Sequence, residues 1–386
     1  MKKRSAQRID QVQDPVIPIV ANLIAENPGT ISLGQGIVHY DPPLQALEAA
    51  ASQMLDPAVH RYGGVAGNSD LQIRIASKLE KENGIAADRG AVVYTAGSNM
   101  AFLNAVLAIA DVGDEVILQS PFYFNHQMAI EIAGCKSVEV STTADYQLDL
   151  VAVENAINDR TRAIVTVSPN NPTGAVYSQA DLVAVNELCA RHGIFHISDE
   201  AYEYFVYEEA EHFSPASIPG AQKHTISLYT FSKAYGMAGW RCGYMLIPSD
   251  LLPAVHKIQD TNLVCPPILN QHVASEVLNV GSGWCREQVA EFARVRNAVL
   301  EELSELSGCR IPLPQGAFYM LLQLDTHRSD TELVEELIRR YGVATLPGSA
   351  FGVDEGSWLR ISYGALESET VIQGIDRLKS GLKALL

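Results

Sequence analysis

The sequence of 386 residues predicts an α/β fold: a large domain with a mostly parallel, seven-stranded sheet between helices, and a smaller α+β domain. The main observation is that, from about residue 91, short β-branched runs alternate with amphipathic stretches, which is typical of a parallel sheet covered on both faces. An apolar fraction of 47% is enough to form a sizeable core. The length favours two domains, because a domain commonly holds roughly 100–200 residues.

The middle of the chain supplies the elements of the large domain. Its predicted strands are 91–95, 115–119, 136–140, 163–167, 194–198, 225–229 and 243–247. The predicted helices between them are 99–110, 125–133, 148–157 and 178–192. Ligands of such sheets bind outside the carboxyl ends of the strands, so polar residues just after each strand are the candidates for chemistry.

The C-terminal third has a different order of elements and predicts the smaller domain. Helices are predicted at 284–306, 330–340 and 367–385, with shorter apolar segments at 317–324, near Val343 and at 359–362. The glycine- and proline-containing segment 31–43 is predicted to be a loop. We therefore expect an N-terminal arm and part of the small domain over 1–45, a large cofactor-binding domain over 46–283 and a small C-terminal domain over 284–386.

Charge and cysteine usage exclude several classes of protein. With 28 basic and 45 acidic residues, the net charge of −17 opposes nonspecific binding to nucleic acid or to an anionic membrane. No apolar stretch approaches the roughly 20 residues of a membrane span, and the basic N-terminus is followed by polar residues rather than by a signal-peptide core. The six scattered cysteines predict reduced thiols in a cytoplasmic protein without a metal site.

Lys233 follows a predicted strand within a segment of unusual composition. The hydroxyl residues Thr230 and Ser232 precede it, and a glycine-containing turn leads to Arg241. Hydroxyls and arginine together can hold a phosphate monoester. A lysine beside a cation can form a Schiff base with an aldehyde cofactor. In isolation, the alternative is a solvated surface lysine.

Asp199 closes the predicted strand 194–198 and has two interpretations. It can cap a helix, or it can pair with the ring N–H of a heteroaromatic cofactor such as pyridoxal phosphate. The second pairing keeps the ring protonated and therefore able to accept electrons. Tyr202, three residues later, can then reach the phenolic oxygen of the ring.

Other strands are followed by residues with both a functional and a structural interpretation. Asn171 lies in a proline-rich turn and can donate to a phenolic oxygen or a carboxylate. Gly97, Ser98 and Asn99 open a helix, whose free N–H groups suit an anion, although a plain turn is equally consistent. Tyr123 is either a core aromatic or a ring that stacks on a pyridine.

Arg360 lies inside the apolar run 359–361. A buried cation is costly unless it is paired. Arg360 is therefore either part of a structural ion pair or the binding group for an anionic ligand, since its planar fork matches a carboxylate.

Taken together, these motifs resemble the fold type I pyridoxal-phosphate enzymes. Asn-Asn-Pro-Thr-Gly, Ser-Asp-Glu-Ala-Tyr and Thr-Phe-Ser-Lys…Gly-Trp-Arg occur in the order found in class I/II aminotransferases, in the branch with aspartate, aromatic and kynurenine aminotransferases. The resemblance runs from about residue 31 to residue 360. It implies amino-group exchange between an L-amino acid and a 2-oxo acid through a Lys233 aldimine, with the freed lysine moving the proton between Cα and C4′.

The resemblance also implies a role for each motif residue. Asp199 would pair with the pyridinium nitrogen, Tyr202 and Asn171 would hold the phenolic oxygen, and Tyr123 would stack on the ring. Arg360 would bind the substrate α-carboxylate, helped by Asn171 and the backbone of Gly36. The residues implied around the phosphate are Gly97, Ser98, Asn99, Thr230, Ser232 and Arg241.

Tyr62 is the residue from which the resemblance implies an oligomeric state. It matches a tyrosine that, in this family, reaches the phosphate of the neighbouring subunit. The resemblance therefore implies a homodimer with shared active sites.

Two departures from the family pattern bear on the substrate. Many relatives have Pro-Asp-Phe after the loop glycine, where this chain has Ile37-Val38-His39. Some aspartate-using relatives have a lysine where Ser98 stands, and that lysine binds the distal carboxylate. Because serine cannot do so, we expect a neutral, aromatic or sulfur-containing amino acid. His126 stands where relatives often have tyrosine, and its role is open.

Two other functions use the same scaffold. One is a pyridoxal-phosphate lyase, such as a cysteine-conjugate β-lyase or a cyclopropane-forming enzyme, which needs the same lysine. The other is a non-catalytic regulator with a DNA-binding segment. The regulator is disfavoured because only about thirty residues precede Ile31 and they are not strongly basic.

Overall fold

The computed structural model describes residues 5–86, 88–353 and 355–386, so residues 1–4 of the predicted arm lie outside the described residues. Its strands are β1 Ile31–Ser32, β2 Ala91–Thr95, β3 Glu115–Ser120, β4 Lys136–Ser141, β5 Thr161–Val167, β6 Phe195–Asp199, β7 Thr225–Thr230, β8 Gly243–Ile247, β9 Cys309–Arg310, β10 Tyr319–Leu324, β11 Val343–Ala344, β12 Leu346–Pro347 and β13 Ser357–Ser362. Its α-helices are α1 Val16–Glu26, α2 Leu44–Gln53, α3 Ser69–Asn83, α4 Ser98–Ile109, α5 Phe124–Ile132, α6 Leu150–Ala156, α7 Gln179–His192, α8 Leu252–Asn262, α9 Ile268–Val280, α10 Ser282–Leu303, α11 Asp330–Glu336 and α12 Ser368–Leu385.

The large sheet has seven strands in the order β2-β8-β7-β6-β5-β3-β4. Strand β8 runs antiparallel to both of its neighbours, while the other pairings are parallel. The predicted mostly parallel, seven-stranded sheet is therefore confirmed, and each predicted strand is found within two residues of its expected bounds.

Helices cover both faces of this sheet, which explains why inner strands such as β5 and β8 are almost entirely buried. On β3, Val116 and Leu118 pack into one core with α4, α5 and α8. Ile117 points to the opposite face and packs into a second core with α6 and α7. The alternation of period two along a single strand thus feeds two helical layers.

Helices α7 and α3 have capping signals at both ends. Helix α7 begins after Ser178, whose Oγ accepts from the backbone N–H of Asp181, and it ends at Gly193 in the left-handed conformation. Helix α3 has the same pair of signals, with Asn68 at its start and Gly84 after its end. Our sequence prediction omitted α3, together with α1, α2, α8 and α9.

The C-terminal elements form a four-stranded antiparallel sheet in the order β12-β13-β10-β9. Helices α10 and α12 pack against each other beside it. This second sheet and its helices are the smaller α+β unit that the sequence predicts. The domain boundaries at residues 45/46 and 283/284 stay predictions.

The predicted loop 31–43 needs a correction at its start. Residues Ile31 and Ser32 form a strand that pairs in parallel with Val343 and Ala344. A two-residue strand has no periodicity that a sequence can display, and it exists here because the distant β11 offers backbone hydrogen-bond partners. Within the described ranges, no helix is both long and apolar enough to cross a membrane.

Candidate active site

The carboxyl ends of the parallel strands meet at one edge of the large sheet. A cavity of about 450 Å³ lies there, and Tyr319 and Arg360 of the small sheet also line it. All of the predicted site residues except Gly97 and Tyr62 line this cavity. They are Gly36, Ser98, Asn99, Tyr123, Asn171, Asp199, Tyr202, Thr230, Ser232, Lys233, Arg241 and Arg360. Residues far apart in the sequence are thus brought together at the place that the strand order predicts.

One end of the cavity has the donor set of a phosphate site. The Oγ1 of Thr230 lies 2.9 Å from the Oγ of Ser232, and Nη1 of Arg241 lies 3.5 Å from that same Oγ. Ser98 and Asn99 begin helix α4, which has no side-chain cap at its N-terminus. Two hydroxyls, a guanidinium and uncapped helix N–H groups are the groups that bind a phosphate dianion, so these residues fit the cofactor predicted from the sequence.

Gly97 does not line the cavity but lies directly against the Arg241 side chain at this end. Its backbone is left-handed, with φ of 85°, and a Cβ there would lie 2.3 Å from Nη2 of Arg241. Arg241 itself has φ of 52°, a conformation that is unusual for a residue with a side chain. Only glycine therefore lets the arginine lie this close to the start of α4.

Lys233 lines the cavity. Its Nζ donates to the carbonyl oxygen of Gly36, and no carboxylate of the described chain forms an ion pair with it. Burial, helped by the nearby Arg241 and Arg360 cations, lowers the pKa of Lys233 to about 8, against the opposing effect of Asp199. A lysine with a lowered pKa has a larger share of neutral amine near pH 7 and is therefore a better nucleophile.

Asp199 is buried at the end of β6, where it has a partner that the sequence analysis left open. Its Oδ1 accepts from the backbone N–H of Ala201, and its Oδ2 lies 3.0 Å from Nε2 of His126. The His126 ring stacks on Phe102 at a centroid distance of 4.0 Å. Nδ1 of His126 has no hydrogen-bond partner in the described residues, so the ring contacts a polar group through Nε2 alone. This contact orients the Asp199 carboxylate. The sequence offered one signal that His126 belongs to the site: it lies three residues after Tyr123, in the first turn of α5.

Tyr202 and Asn171 form one hydrogen-bonded group with Tyr319. The hydroxyl oxygens of Tyr202 and Tyr319 are 2.8 Å apart, and Nδ2 of Asn171 donates to Tyr202 over 3.5 Å. Burial raises the pKa of Tyr202 well above its ordinary value, so this hydroxyl keeps its proton and can donate it. Tyr319 was not among the predicted site residues.

Arg360 is a buried cation, 2% exposed, whose acid partner is missing from the described chain. Its Nη1 donates to Oδ1 of Asn171 over 3.1 Å, its Nη2 donates to the carbonyl of Gly34, and its Nε has no partner. The guanidinium lies between the rings of Tyr319 and Phe351, 4.6 and 5.0 Å from their centroids. Of the two interpretations from the sequence, the structural ion pair is wrong for the described residues, and an anionic ligand stays as the alternative.

Tyr123 and Tyr62 occupy contrasting positions. Tyr123 lines the cavity, accepts a hydrogen bond from Asn125 and meets the His126 ring edge-on at 5.3 Å. Tyr62 lies outside the cavity and is 85% exposed in the single chain. The predicted role of Tyr62 towards a neighbouring subunit therefore stays a prediction.

Comparisons with known proteins agree on one family. The family model "Aminotransferase class I and II" matches residues 28–378. A probable aspartate/prephenate aminotransferase of Aquifex aeolicus is 35% identical over the full length of both chains, and an aromatic aminotransferase of Arabidopsis thaliana is 33% identical, covering 96% of this chain and 94% of its own. Among solved structures, the aspartate aminotransferase of Thermus thermophilus with maleate superposes with a TM-score of 0.90 at 30% identity, over 98% of this chain and 100% of its own.

Proposed function

The chain belongs to the class I and II aminotransferases, and from this premise we propose that it transfers the amino group of a neutral, aromatic or sulfur-containing L-amino acid to a 2-oxo acid through Lys233. The family uses pyridoxal phosphate for transamination, so the predicted cofactor and reaction class are confirmed. The proposal concerns the substrate class and the residues that act on it.

The residues of this chain divide the work at the cavity. When bound, pyridoxal phosphate supplies an aldehyde and a ring that takes up the electron pair left when Cα loses its proton. Thr230, Ser232, Arg241 and the start of α4 hold its phosphate. Asp199, oriented by His126, keeps a proton on the ring nitrogen, because a carboxylate stabilises the protonated form of a neighbouring nitrogen.

Lys233 moves the proton. When cofactor and substrate are bound, its neutral amine would take the proton from the substrate Cα and hold it for return to C4′ of the cofactor. Asn171 and Tyr202 donate to the phenolic oxygen of the cofactor. Arg360 orients the substrate by its α-carboxylate, so that the Cα–H bond faces Lys233.

The observation that carries the proposal is the unpaired Arg360 cation. An arginine that is 2% exposed and has no carboxylate partner in the described chain is destabilising unless a ligand supplies the negative charge. The two oxygens of a carboxylate match the guanidinium fork of Arg360. One of them can also accept from the Nε–H group, which has no partner in the described residues. An α-amino or 2-oxo acid has such a carboxylate.

The remaining wall of the cavity supports a substrate side chain without charge. Ile17, Ile37 and Phe124 contribute apolar surface, and Ser98 stands at the start of α4. The cations that the described chain offers to the cavity are the lysine and two arginines that already have proposed roles. Among the described residues of a single chain, no further cation at the cavity is therefore left for a distal carboxylate.

A substrate panel tests the proposal. The holoenzyme is mixed with each of the 20 amino acids and pyruvate, an acceptor without a distal carboxylate. We expect kcat/KM for phenylalanine, tyrosine or methionine to exceed that for aspartate by at least about tenfold. The Ser98→Lys variant should raise kcat/KM for aspartate, whereas Ser98→Ala, its control, should not. Aspartate as the best donor of the wild-type enzyme would contradict the proposed substrate class. Release of pyruvate and ammonia from cysteine conjugates without an acceptor would favour the lyase.

We also propose a homodimer with shared active sites. Apolar side chains stay exposed on segments that pack around α9, including Met54 at 58%, Leu55 at 87% and Tyr62 at 85%. Large apolar side chains that a single chain leaves exposed are the kind of surface that a subunit interface would cover. Light scattering should give twice the chain mass of 41.9 kDa, and Tyr62→Ala should weaken cofactor binding. A monomer with full activity would contradict this proposal.

A cytoplasmic location completes the proposal. It is supported by the six cysteines, which are all free thiols in the structure. Reduced thiols are typical of proteins in a reducing compartment. Fractionation of the source cells tests the location, and activity confined to an extracytoplasmic fraction would contradict it.

A further inference from the structure

Tyr319 is a buried tyrosine of β10 that touches both halves of the active site. Its hydroxyl oxygen lies 2.8 Å from that of Tyr202, and the centre of its ring lies 4.6 Å from Cζ of Arg360. A Cβ added to Gly36 would lie 2.5 Å from the same hydroxyl. Tyr319 therefore contacts the side chain proposed to face the cofactor and the side chain proposed to bind the substrate.

Resting on the proposed function, we propose that Tyr319 is a positioning residue: its hydroxyl donates to Tyr202 and so directs the proton of Tyr202 towards the phenolic oxygen of the cofactor. A tyrosine hydroxyl has one proton to donate and can accept from other groups. If Tyr202 gave its proton to Tyr319, none would be left for the cofactor. If Tyr319 gives its proton, the Tyr202 proton is free to point into the cavity.

The surroundings of Tyr319 favour the second arrangement. In the described part of the chain, its hydroxyl has a single hydrogen-bond partner, the Tyr202 oxygen. A buried hydroxyl whose proton lacks an acceptor is destabilising, so Tyr319 satisfies its donor only by donating to Tyr202.

The link predicts a spectroscopic effect. A bound pyridoxal phosphate changes its visible absorbance as it gains or loses a proton, and the deprotonated form carries the anionic phenolic oxygen. Donation by Tyr202 stabilises that anion and so lowers the pH of the change. When Tyr319 no longer donates to the Tyr202 oxygen, Tyr202 is a weaker hydrogen-bond donor and stabilises the anion less. The apparent pKa of the cofactor's absorbance change should therefore rise.

The test titrates the visible absorbance of holoenzymes between pH 5 and pH 10. Tyr319→Phe should raise the apparent pKa by about 0.5–1 unit. The matched control is Tyr146→Phe, because the Tyr146 hydroxyl is also buried and donates to Leu321 of the same strand over 3.3 Å, but lies outside the cavity. The control should titrate like the wild type.

Two further variants keep the inference falsifiable if Tyr319→Phe does not fold. Gly36→Ala places a methyl group against the Tyr319 hydroxyl and should raise the apparent pKa in the same direction. In a Tyr202→Phe background, Tyr319→Phe or Gly36→Ala should add no further rise, because their effect passes through Tyr202.

The outcomes separate this inference from the function on which it rests. An unchanged apparent pKa in Tyr319→Phe and Gly36→Ala, in an enzyme that binds the cofactor and transaminates, would overturn the role of Tyr319 alone. An equal rise with and without Tyr202 would also overturn it. A wild-type chain without cofactor absorbance would overturn the proposed function and this inference with it.

Discussion

Two buried arginines in different parts of the molecule have almost the same exposure but very different partners. Arg296 of α10 is 1% exposed and donates to the Glu208 carboxylate, to Asn297 and to the carbonyl of Pro314. Arg360 of β13 is 2% exposed and has only neutral acceptors. Both guanidiniums lie against tyrosine rings, so aromatic contact does not distinguish them. The difference is the carboxylate, which the chain supplies to Arg296 and leaves to a ligand at Arg360.

Two lysines show the same contrast. Lys78 is buried, and its Nζ lies 2.5 Å from a Glu203 oxygen and 2.8 Å from Asn83. Lys233 has a carbonyl acceptor and a pKa lowered to about 8. Burial alone therefore does not identify a functional cation. A buried cation with its acid in the chain stabilises the fold, and one without its acid is available for chemistry.

The largest expected effect separates the two lysines. Lys233→Ala should lower kcat for transamination by roughly 10²–10⁴-fold or more, because it removes the group that moves the proton. Lys78→Met should leave kcat of the folded enzyme within about twofold. It should lower the free energy of unfolding by about 3–5 kcal/mol, because Glu203 is left buried without its cation. Steady-state kinetics and urea unfolding measure the two effects, and an active Lys233→Ala enzyme would contradict the contrast.

The two arginines should differ in the same way. Arg360→Met should raise KM for the amino acid by roughly 30-fold to several-thousand-fold, equivalent to about 2–5 kcal/mol of lost binding. The free energy of unfolding of the cofactor-free chain should fall by less than in Arg296→Met. The carbonyl of Gly34 and the Asn171 side chain lose their donor, but the substitution also removes a buried cation that has no acid partner.

Arg296→Met is the matched control for Arg360→Met. It should lower the free energy of unfolding by about 1–3 kcal/mol, because the buried carbonyl of Pro314 loses its donor, and it should leave KM within about twofold. Equal effects of the two substitutions on KM would show that Arg360 is structural.

Two buried histidines extend the comparison to the cofactor. His126→Leu removes the contact to Asp199 and should raise the Kd for pyridoxal phosphate by at least about tenfold, because hydrogen bonds to charged groups contribute about 1.5–3 kcal/mol. His196→Leu is the control, since His196 contacts Thr166 and Asn186 away from the cavity. It should lower stability and leave the Kd unchanged. Titration of the cofactor-free chain by fluorescence measures both values.

The smallest expected effect is a pH shift at Lys233. A lysine is reactive as the neutral amine, so a pKa of about 8 predicts that the rate of pyridoxal phosphate incorporation into the cofactor-free chain rises with pH through a midpoint near 8. Below that pH the ammonium form dominates. Removing the Arg360 charge in Arg360→Met should move the midpoint to higher pH, because a neighbouring cation lowers this pKa. A midpoint near the ordinary lysine value would contradict the environment described for Lys233.

The sequence by itself determined the sheet and most of the candidate site. Strand periodicity and turn residues are local, so the seven strands were predictable. The polar residues that follow them, such as Asp199 and Lys233, were placed at one edge because parallel strands end together. Capping does not account for the missed helices, since α3 has cap residues at both ends and was missed, whereas α4 has no side-chain cap and was predicted.

Only the tertiary structure decided which of these residues act on one another. Whether Arg360 had an acid partner, what held Asp199 and how Tyr319 met Tyr202 depended on residues that lie between 73 and 189 positions apart in the chain. The physical reason is that the local pattern of a sequence records the solvent exposure and dihedral preferences of each segment. A hydrogen bond or an ion pair between distant segments depends on how those segments pack, and no local pattern contains that information.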